Sequence, residues 1–246
     1  MPELAHPPHR RVTSFVHQRN RLTEGQAQAW DRLWPEYGAD VADLLSGALL
    51  YDPTAWFGRT APLVLEIGSG TGESTAAQAA AAPDTDHLAV EVFEPGLAQL
   101  LMRIGEAGLT NLRLLRGDAV DLLRERVPPG SLAEIRIFFP DPWPKRRHHK
   151  RRLVQPEFAA LAASRLAIGG LLHLATDWAD YAVQMRSVCA GEPLLQNTSA
   201  AADGWTPRPE WRPMTKFERR ARAEGRAVRD LVLRRVSSPH TFTHSR

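Results

Sequence analysis

From Pro62 onward, short apolar runs alternate with stretches of helical period, and this rhythm restricts the fold more than any other feature of the chain. Leu63 to Ile67 reads as a strand and Glu73 to Ala82 as an alanine-rich helix. Strands follow over His87 to Val92, Leu112 to Leu115, Ala133 to Phe139 and Gly170 to Ala175. Helices follow them in turn over Gly96 to Glu106, Ala119 to Arg124, Glu157 to Ala167 and Trp178 to Cys189. Strands that are apolar throughout, joined by helices, predict an α/β fold: a doubly wound, mostly parallel sheet with helices on both faces. After a proline-rich loop (Pro207, Pro209, Pro213), Val228 to Val236 reads as a final strand. Upstream, Thr23 with Gln26 three residues on is a capping-box pattern. It opens a short helix that Trp34-Pro35 is expected to end, and a second short helix is expected over Asp40 to Leu50. Residues 1–25 carry no sustained apolar period and read as a flexible basic arm, with residues 26–246 as a single domain.

In sheets of this kind ligands bind outside the carboxyl ends of the strands. The first strand runs into Glu66-Ile67-Gly68-Ser69-Gly70-Thr71-Gly72. Glycines at alternate positions let the backbone turn sharply and approach a ligand before the helix starts. A dinucleotide fingerprint would place glycine where Glu73 stands, and a carboxylate there would oppose a pyrophosphate. The G-x-G-x-G spacing instead favours S-adenosylmethionine, a nucleoside ligand without phosphate. The second strand ends at Glu91, 21 residues after Gly70, the separation at which an acid meets ribose hydroxyls in nucleotide-binding βαβ units. After the third strand, Gly117-Asp118-Ala119 offers a carboxylate to an adenine amino group or a cap to the next helix.

The fourth strand leads into Phe138-Phe139-Pro140-Asp141-Pro142-Trp143-Pro144-Lys145, then Arg146-Arg147-His148-His149-Lys150-Arg151-Arg152-Leu153. Proline fixes φ and restricts the residue before it, so Asp141 is held in a pre-shaped loop beside an indole. A rigid carboxylate next to a flat aromatic suits a purine, and the basic octet suits adjoining phosphates. The fifth strand ends in Thr176-Asp177-Trp178, a second acid with an indole at the same rim.

Composition matters here through charge. The net value is only +3, but His6–Arg21, Lys145–Arg152 and Arg208–Arg235 together hold 20 Lys/Arg against 4 acids, leaving 11 against 24 elsewhere. An acidic body with three basic segments is the footprint of a polyanion partner. The arginine excess, 28 against 3 lysines, carries no such information, because a GC-rich genome would produce it unaided. The longest strongly apolar stretch, Leu166 to Ala175, is half of what a membrane span needs. Met1 to Arg11 has no apolar core of a secretory signal, so a cytoplasmic location is expected. One cysteine, Cys189, excludes an intramolecular disulfide and a Cys-rich metal cluster. No metal site is expected, since His148-His149 lies in a cationic run. The sequence does not distinguish a monomer from a homodimer.

Taken together these residues resemble the bacterial tRNA (guanine-N7-)-methyltransferase family, of the class I S-adenosylmethionine-dependent methyltransferases with their Rossmann-like sheet. The resemblance spans most of the chain: Arg11 to Val16, Arg19, Arg21 to Thr23, Leu33 to Pro35, Glu66 to Gly72, Glu91, Gly117 to Ala119, Phe138 to Leu153, Thr176 to Trp178, Tyr181-Ala182, Thr215 to Glu218 and Asp230-Leu231. It departs from the family at Ala221, where glycine is usual, and at Arg226, where histidine is usual. It implies transfer of a methyl group to N7 of guanine 46 in the tRNA variable loop. It implies cofactor contacts at Glu66, Gly68, Gly70, Gly72, Glu91, Asp118, Ala119 and Asp141, with Asp141 also catalytic. Lys145, Asp177, Thr215, Lys216, Phe217 and Glu218 are implied to contact the substrate. Arg147, His148, His149, Lys150, Arg151 and Arg152 are implied to contact RNA. An exocyclic-amino methyltransferase, which would place two prolines between the acid and the aromatic, is a poorer match, because only one proline separates Asp141 from Trp143.

Overall fold

The structure, a computed structural model, describes residues 21–237. The arm residues 1–20, including Arg11 to Val16, Arg19 and most of the first basic window, lie outside the described residues, as do residues 238–246. The capping box forms as predicted: Thr23 Oγ1 accepts from Gln26 N–H and Gln26 Oε1 accepts from Thr23 N–H. Helix α1 (Glu24–Tyr37) runs on past Pro35, which sits in its last turn and does not end it. Strand β1 (Gly38–Asp40) and helices α2 (Val41–Ser46) and α3 (Pro53–Phe57) follow. The sequence pattern predicts neither β1 nor α3, and the helix expected over Asp40 to Leu50 is confined to α2.

The regular alternation then appears: β2 (Leu63–Ile67), α4 (Glu73–Ala81), β3 (Asp86–Glu91), α5 (Glu94–Ala107), β4 (Leu112–Arg116), α6 (Ala119–Glu125) and β5 (Leu132–Phe138). A 3-10 helix over Arg146–Arg151 leads to α7 (Pro156–Arg165), β6 (Leu166–Thr176), α8 (Ala179–Ala190), β7 (Leu195–Asn197), α9 (Lys216–Ala223) and β8 (Arg229–Arg235). The eight strands lie in the order β1-β4-β3-β2-β5-β6-β8-β7. All neighbours are parallel except β8, which inserts antiparallel between β6 and β7. This is the doubly wound α/β sheet predicted.

Side chains alternate across each strand. Leu65, Val90, Ile135, Ile137, Leu172, Leu174 and Leu231 build one core with α6, α7 and α8. On the other face Ala89, Leu112 and Leu114 pack against Ala29 of α1, Ala79 of α4 and the leucines of α5. The carboxyl ends of β2, β3, β4, β5 and β6 therefore share one rim, and that rim carries the residues singled out above.

Candidate active site

The loop from β2 to α4 is shaped by Gly68, Gly70 and Gly72, all at positive φ (79°, 56° and 70°). A side chain at Gly96, near the start of α5, would place its Cβ 2.3 Å from the carbonyl oxygen of Gly70. Gly96 is thus needed for α5 to lie against the loop, a role its place in a helical run does not reveal. Gly70 N–H donates to Glu91 Oε2 at 2.9 Å, while Glu91 Oε1 accepts from Val92 and Phe93 N–H at 2.7 and 3.0 Å. Burial pushes the Glu91 pKa up, these N–H donors oppose it, and the Asp141 carboxylate adds to the rise. Oε2, which accepts only one of these bonds, has a lone pair left for a hydroxyl donor. Asp118 caps α6, accepting from Val120 N–H at 2.7 Å, and Ala119 is buried behind it. Gly117 N–H donates to Glu91 O, which sets Asp118 beside the end of β3.

Glu66 is buried at the base of the loop. Burial lifts its pKa to about 7 against the opposing pull of Arg136. A cleft opens above it, with Glu66, Gly68, Ser69 and Gly70 on one side, Phe138 and Phe139 at the back, and Thr215, Lys216 and Phe217 on the other. The glycine loop and the start of α9 are therefore two walls of one cavity. Ser69 Oγ is buried there without a hydrogen-bond partner among the described residues. A cleft with aromatic rings at its back, a buried carboxylate at its base, a buried hydroxyl and a lysine at its edge suits a nucleoside that carries charge at one end, such as S-adenosylmethionine. Glu73, the first residue of α4, is ion-paired to Arg219 at 3.2 Å across the cleft mouth.

The loop after β5 stores strain. Phe139 and Trp143 both have positive φ (53° and 44°), and each precedes a proline. For bulky residues this conformation costs about 1–2 kcal/mol apiece. Surrounding contacts hold it: Phe139 N–H donates to Ala175 O at 2.8 Å, and the Phe139 ring stacks on Phe217 at 6.2 Å. The Arg151 guanidinium lies 4.9 Å over the Trp143 ring. Asp141 stands at the rim between them, and its carboxylate makes no hydrogen bond or ion pair among the described residues. Desolvation by its surroundings raises its pKa above the usual carboxylate value.

The basic octet divides. Lys145, Arg146, Arg147 and Lys150 are exposed and have no acidic partner among the described residues. His148 sets its ring edge-on to Trp143 at 5.9 Å, and His149 lies 3.5 Å from Asp180. Arg152 corrects the expectation of an RNA contact. It is 2 % exposed, and its guanidinium bonds Pro142 O, Gln184 Oε1 and Asp180 Oδ2, each at 2.7 Å. It faces inward, and the two N–H groups these bonds leave over are buried with it, out of reach of a phosphate.

The tail window is likewise not a free basic patch. Arg208, Arg212, Arg219, Arg220, Arg222 and Arg226 are all ion-paired to acids. Among these, Arg226 donates to Asp177 Oδ2 at 2.8 Å. Glu218 is 0 % exposed, so the cleft reaches Thr215, Lys216 and Phe217 but not Glu218. Among the described residues no group of three or more His, Cys, Asp or Glu could hold a metal ion, and no helix is long and apolar enough to cross a membrane.

Residues 60–231 match the family described as "Putative methyltransferase" (Methyltransf_4). Among curated proteins, the chain is 52% identical over 227 residues to a tRNA (guanine-N(7)-)-methyltransferase of Streptomyces avermitilis, covering 92% of this chain and 76% of that one. It is 50% identical over 232 residues to the enzyme of the same name from Nitrosospira multiformis, covering 94% and 98%. Among solved structures, TrmN from Thermus thermophilus superposes with a TM-score of 0.50 at 21% identity, over 71% of this chain and 44% of that one, a likeness of fold.

Proposed function

The chain belongs to the tRNA (guanine-N(7)-)-methyltransferase family, S-adenosylmethionine-dependent enzymes that modify tRNA, and from that premise we propose that Asp141 is its catalytic carboxylate and guanine 46 of the variable loop its target. The single observation that carries the assignment is the placement of Asp141. Its carboxylate, without a partner among the described residues, sits in a strained, proline-fixed loop that runs from Phe138 and Phe139 at the back of the cleft to a cationic 3-10 helix with no buried residue.

Glu66, the glycine loop, Glu91 and Asp118 would hold the cofactor, which would supply an electrophilic methyl group. Guanine N7 carries an in-plane lone pair and no proton at neutral pH, so no residue of the chain has to act as a base. What remains is alignment, the kind of effect that supplies roughly 7–11 kcal/mol in well-oriented reactions. Asp141 would accept from the N1–H and amino edge of guanine, selecting it over adenine, which lacks those donors in that pattern. Its negative charge would also favour the cationic purine that forms. Asp177, oriented by Arg226 at the next strand end, would support the same ring, and Trp143 offers it a stacking face. Lys145, Arg147, Lys150 and Arg151 would grip the adjoining phosphates. The reaction belongs to the cytoplasm on this reading.

The test is methyl transfer from labelled cofactor to unmodified tRNA, with the product site mapped by cleavage at N7-methylguanosine. Label on an exocyclic amine, or cleavage away from position 46, would overturn the assignment.

A further inference from the structure

One face of the sheet is apolar over only half its width. Beneath α1 and α5 it presents Ala89, Leu112 and Leu114. Across β2, β5, β6 and β8 it presents Glu66, Glu134, Arg136, His173 and Asp230, none more than 9 % exposed. The cover over this charged half comes from the segment before and within α9. Arg212, fully buried, donates from one terminal nitrogen to Glu218 Oε2 at 2.7 Å and from the other to Asp230 Oδ2 at 3.0 Å. His173 Nε2 meets Asp230 Oδ1 at 2.8 Å. Glu218 Oε1 is ion-paired to Arg208 and Arg222 at 2.8 and 2.9 Å. Both oxygens of Glu218 are therefore engaged, and its side chain reaches no solvent.

Glu218 is also the third residue of α9, and its N–H donates to the cap hydroxyl of Thr215 at 3.2 Å. Burying a charged pair is costly and gives little net stability over apolar residues of the same volume. Its effect is instead geometric: it fixes one rotation of α9. That rotation sets Thr215, Lys216 and Phe217 against the glycine loop and Phe217 on Phe139.

We propose that Glu218 and Arg212 are positioning residues, whose buried pair holds the start of α9 as the second wall of the cleft, and that Glu218 touches neither guanine nor cofactor. The proposal rests on the reading of the cleft as the cofactor site. It replaces the substrate contact that resemblance alone implies for Glu218.

A rescue experiment separates the two roles. Glu218→Met leaves Arg212 short of a partner, and kcat/KM should fall at least about 100-fold, the size expected when one half of a buried pair is removed. Affinity for S-adenosylhomocysteine, read by calorimetry, should fall with it, while tRNA affinity should hold. Arg212→Met with Glu218→Met removes the unpaired guanidinium, although it leaves Asp230 to His173 alone, and should regain at least about tenfold over Glu218→Met in both turnover and S-adenosylhomocysteine affinity. A folded double variant that binds S-adenosylhomocysteine normally but is as inactive as Glu218→Met would overturn the proposal, because the carboxylate itself would then be required. If the methionine variants do not fold, Glu218→Gln decides. Positioning requires its S-adenosylhomocysteine affinity to drop together with turnover, and lost turnover at unchanged affinity rejects it. Failure of the unsubstituted protein to bind S-adenosylhomocysteine would instead reject the reading of the cleft.

Discussion

Arg152 donates from Nε to the carbonyl oxygen of Pro142 at 2.7 Å, so the last cation of the basic octet braces the loop that carries Asp141. Arg152→Met should leave that carbonyl and Asp180 without their buried donor, at a cost of about 1–3 kcal/mol. In a chain of this size that lowers the melting temperature by roughly 2–4 °C per kcal/mol. Methylation should fall as the loop relaxes, while the salt dependence of tRNA binding stays as it was. Thermal melts and binding titrations at several salt concentrations check this, and a flattened salt dependence would restore Arg152 to the RNA face.

Removing charge from Arg147, Lys150 and Arg151 should have the opposite signature. Every phosphate that is no longer neutralised reduces the slope of log affinity against log salt by about 0.7–0.9. Melting temperature should change little for Arg147 and Lys150, which are exposed. An unchanged slope in the triple variant would mean that RNA is held elsewhere.

Asp141→Asn keeps the shape of the rim and removes its charge. Methyl transfer should drop by about 10²–10³-fold, the range seen when one aligned electrostatic group is lost, and tRNA affinity should be retained. Single-turnover rates beside filter binding make the measurement. A near-normal rate would take Asp141 out of the chemistry.

With the cleft as the proposed cofactor site, Glu66 should tie cofactor binding to pH. Its pKa, raised to about 7 by burial, lies above the ordinary carboxyl value of 4.5. Between those values the folded protein keeps a proton that the unfolded chain has released. The group thus favours folding at low pH, and that contribution is lost as pH rises through 7. At pH 8 the ionised carboxylate should destabilise the free protein by up to about 3 kcal/mol. Glu66→Gln should accordingly melt higher than the parent at pH 8 while binding S-adenosylhomocysteine more weakly. In the parent that affinity should weaken as pH falls below 7. Melting and calorimetry across pH 5.5–8.5 test both signs.

Most of this architecture is legible in the residues because the strands are buried on both faces. Leu63 to Ile67 matches β2 at both ends, and α4 ends one residue before its expected limit. Elements whose stability is tertiary are not legible. Strand β1 is three residues long and exists through its pairing with β4. Strand β7 likewise rests on β8. Strand β6 starts at Leu166, four residues before the expected Gly170, because pairing with β5 carries the chain past Gly169-Gly170. At the site, the glycine loop, Glu91, Asp141 and the TKF stretch are visible as residue types at strand ends. The direction of a charge is not. Arg152 and Arg147 look alike in sequence, yet one is buried beneath the loop and the other faces solvent. The tail arginines look like a grip until their partners Glu73, Asp177, Glu218, Glu224 and Asp230 are brought to them by folding.

The antiparallel insertion of β8 also bears on the order in which the protein comes into being. Strands β2 to β6 can pair as they leave the ribosome, so the glycine loop exists early in synthesis. The wall facing it, Thr215 to Phe217, and the Asp230 that anchors Arg212 beneath that wall follow later in the chain. A chain that lacks β8 and α9 would therefore present its basic 3-10 helix with only one wall of the cleft in place.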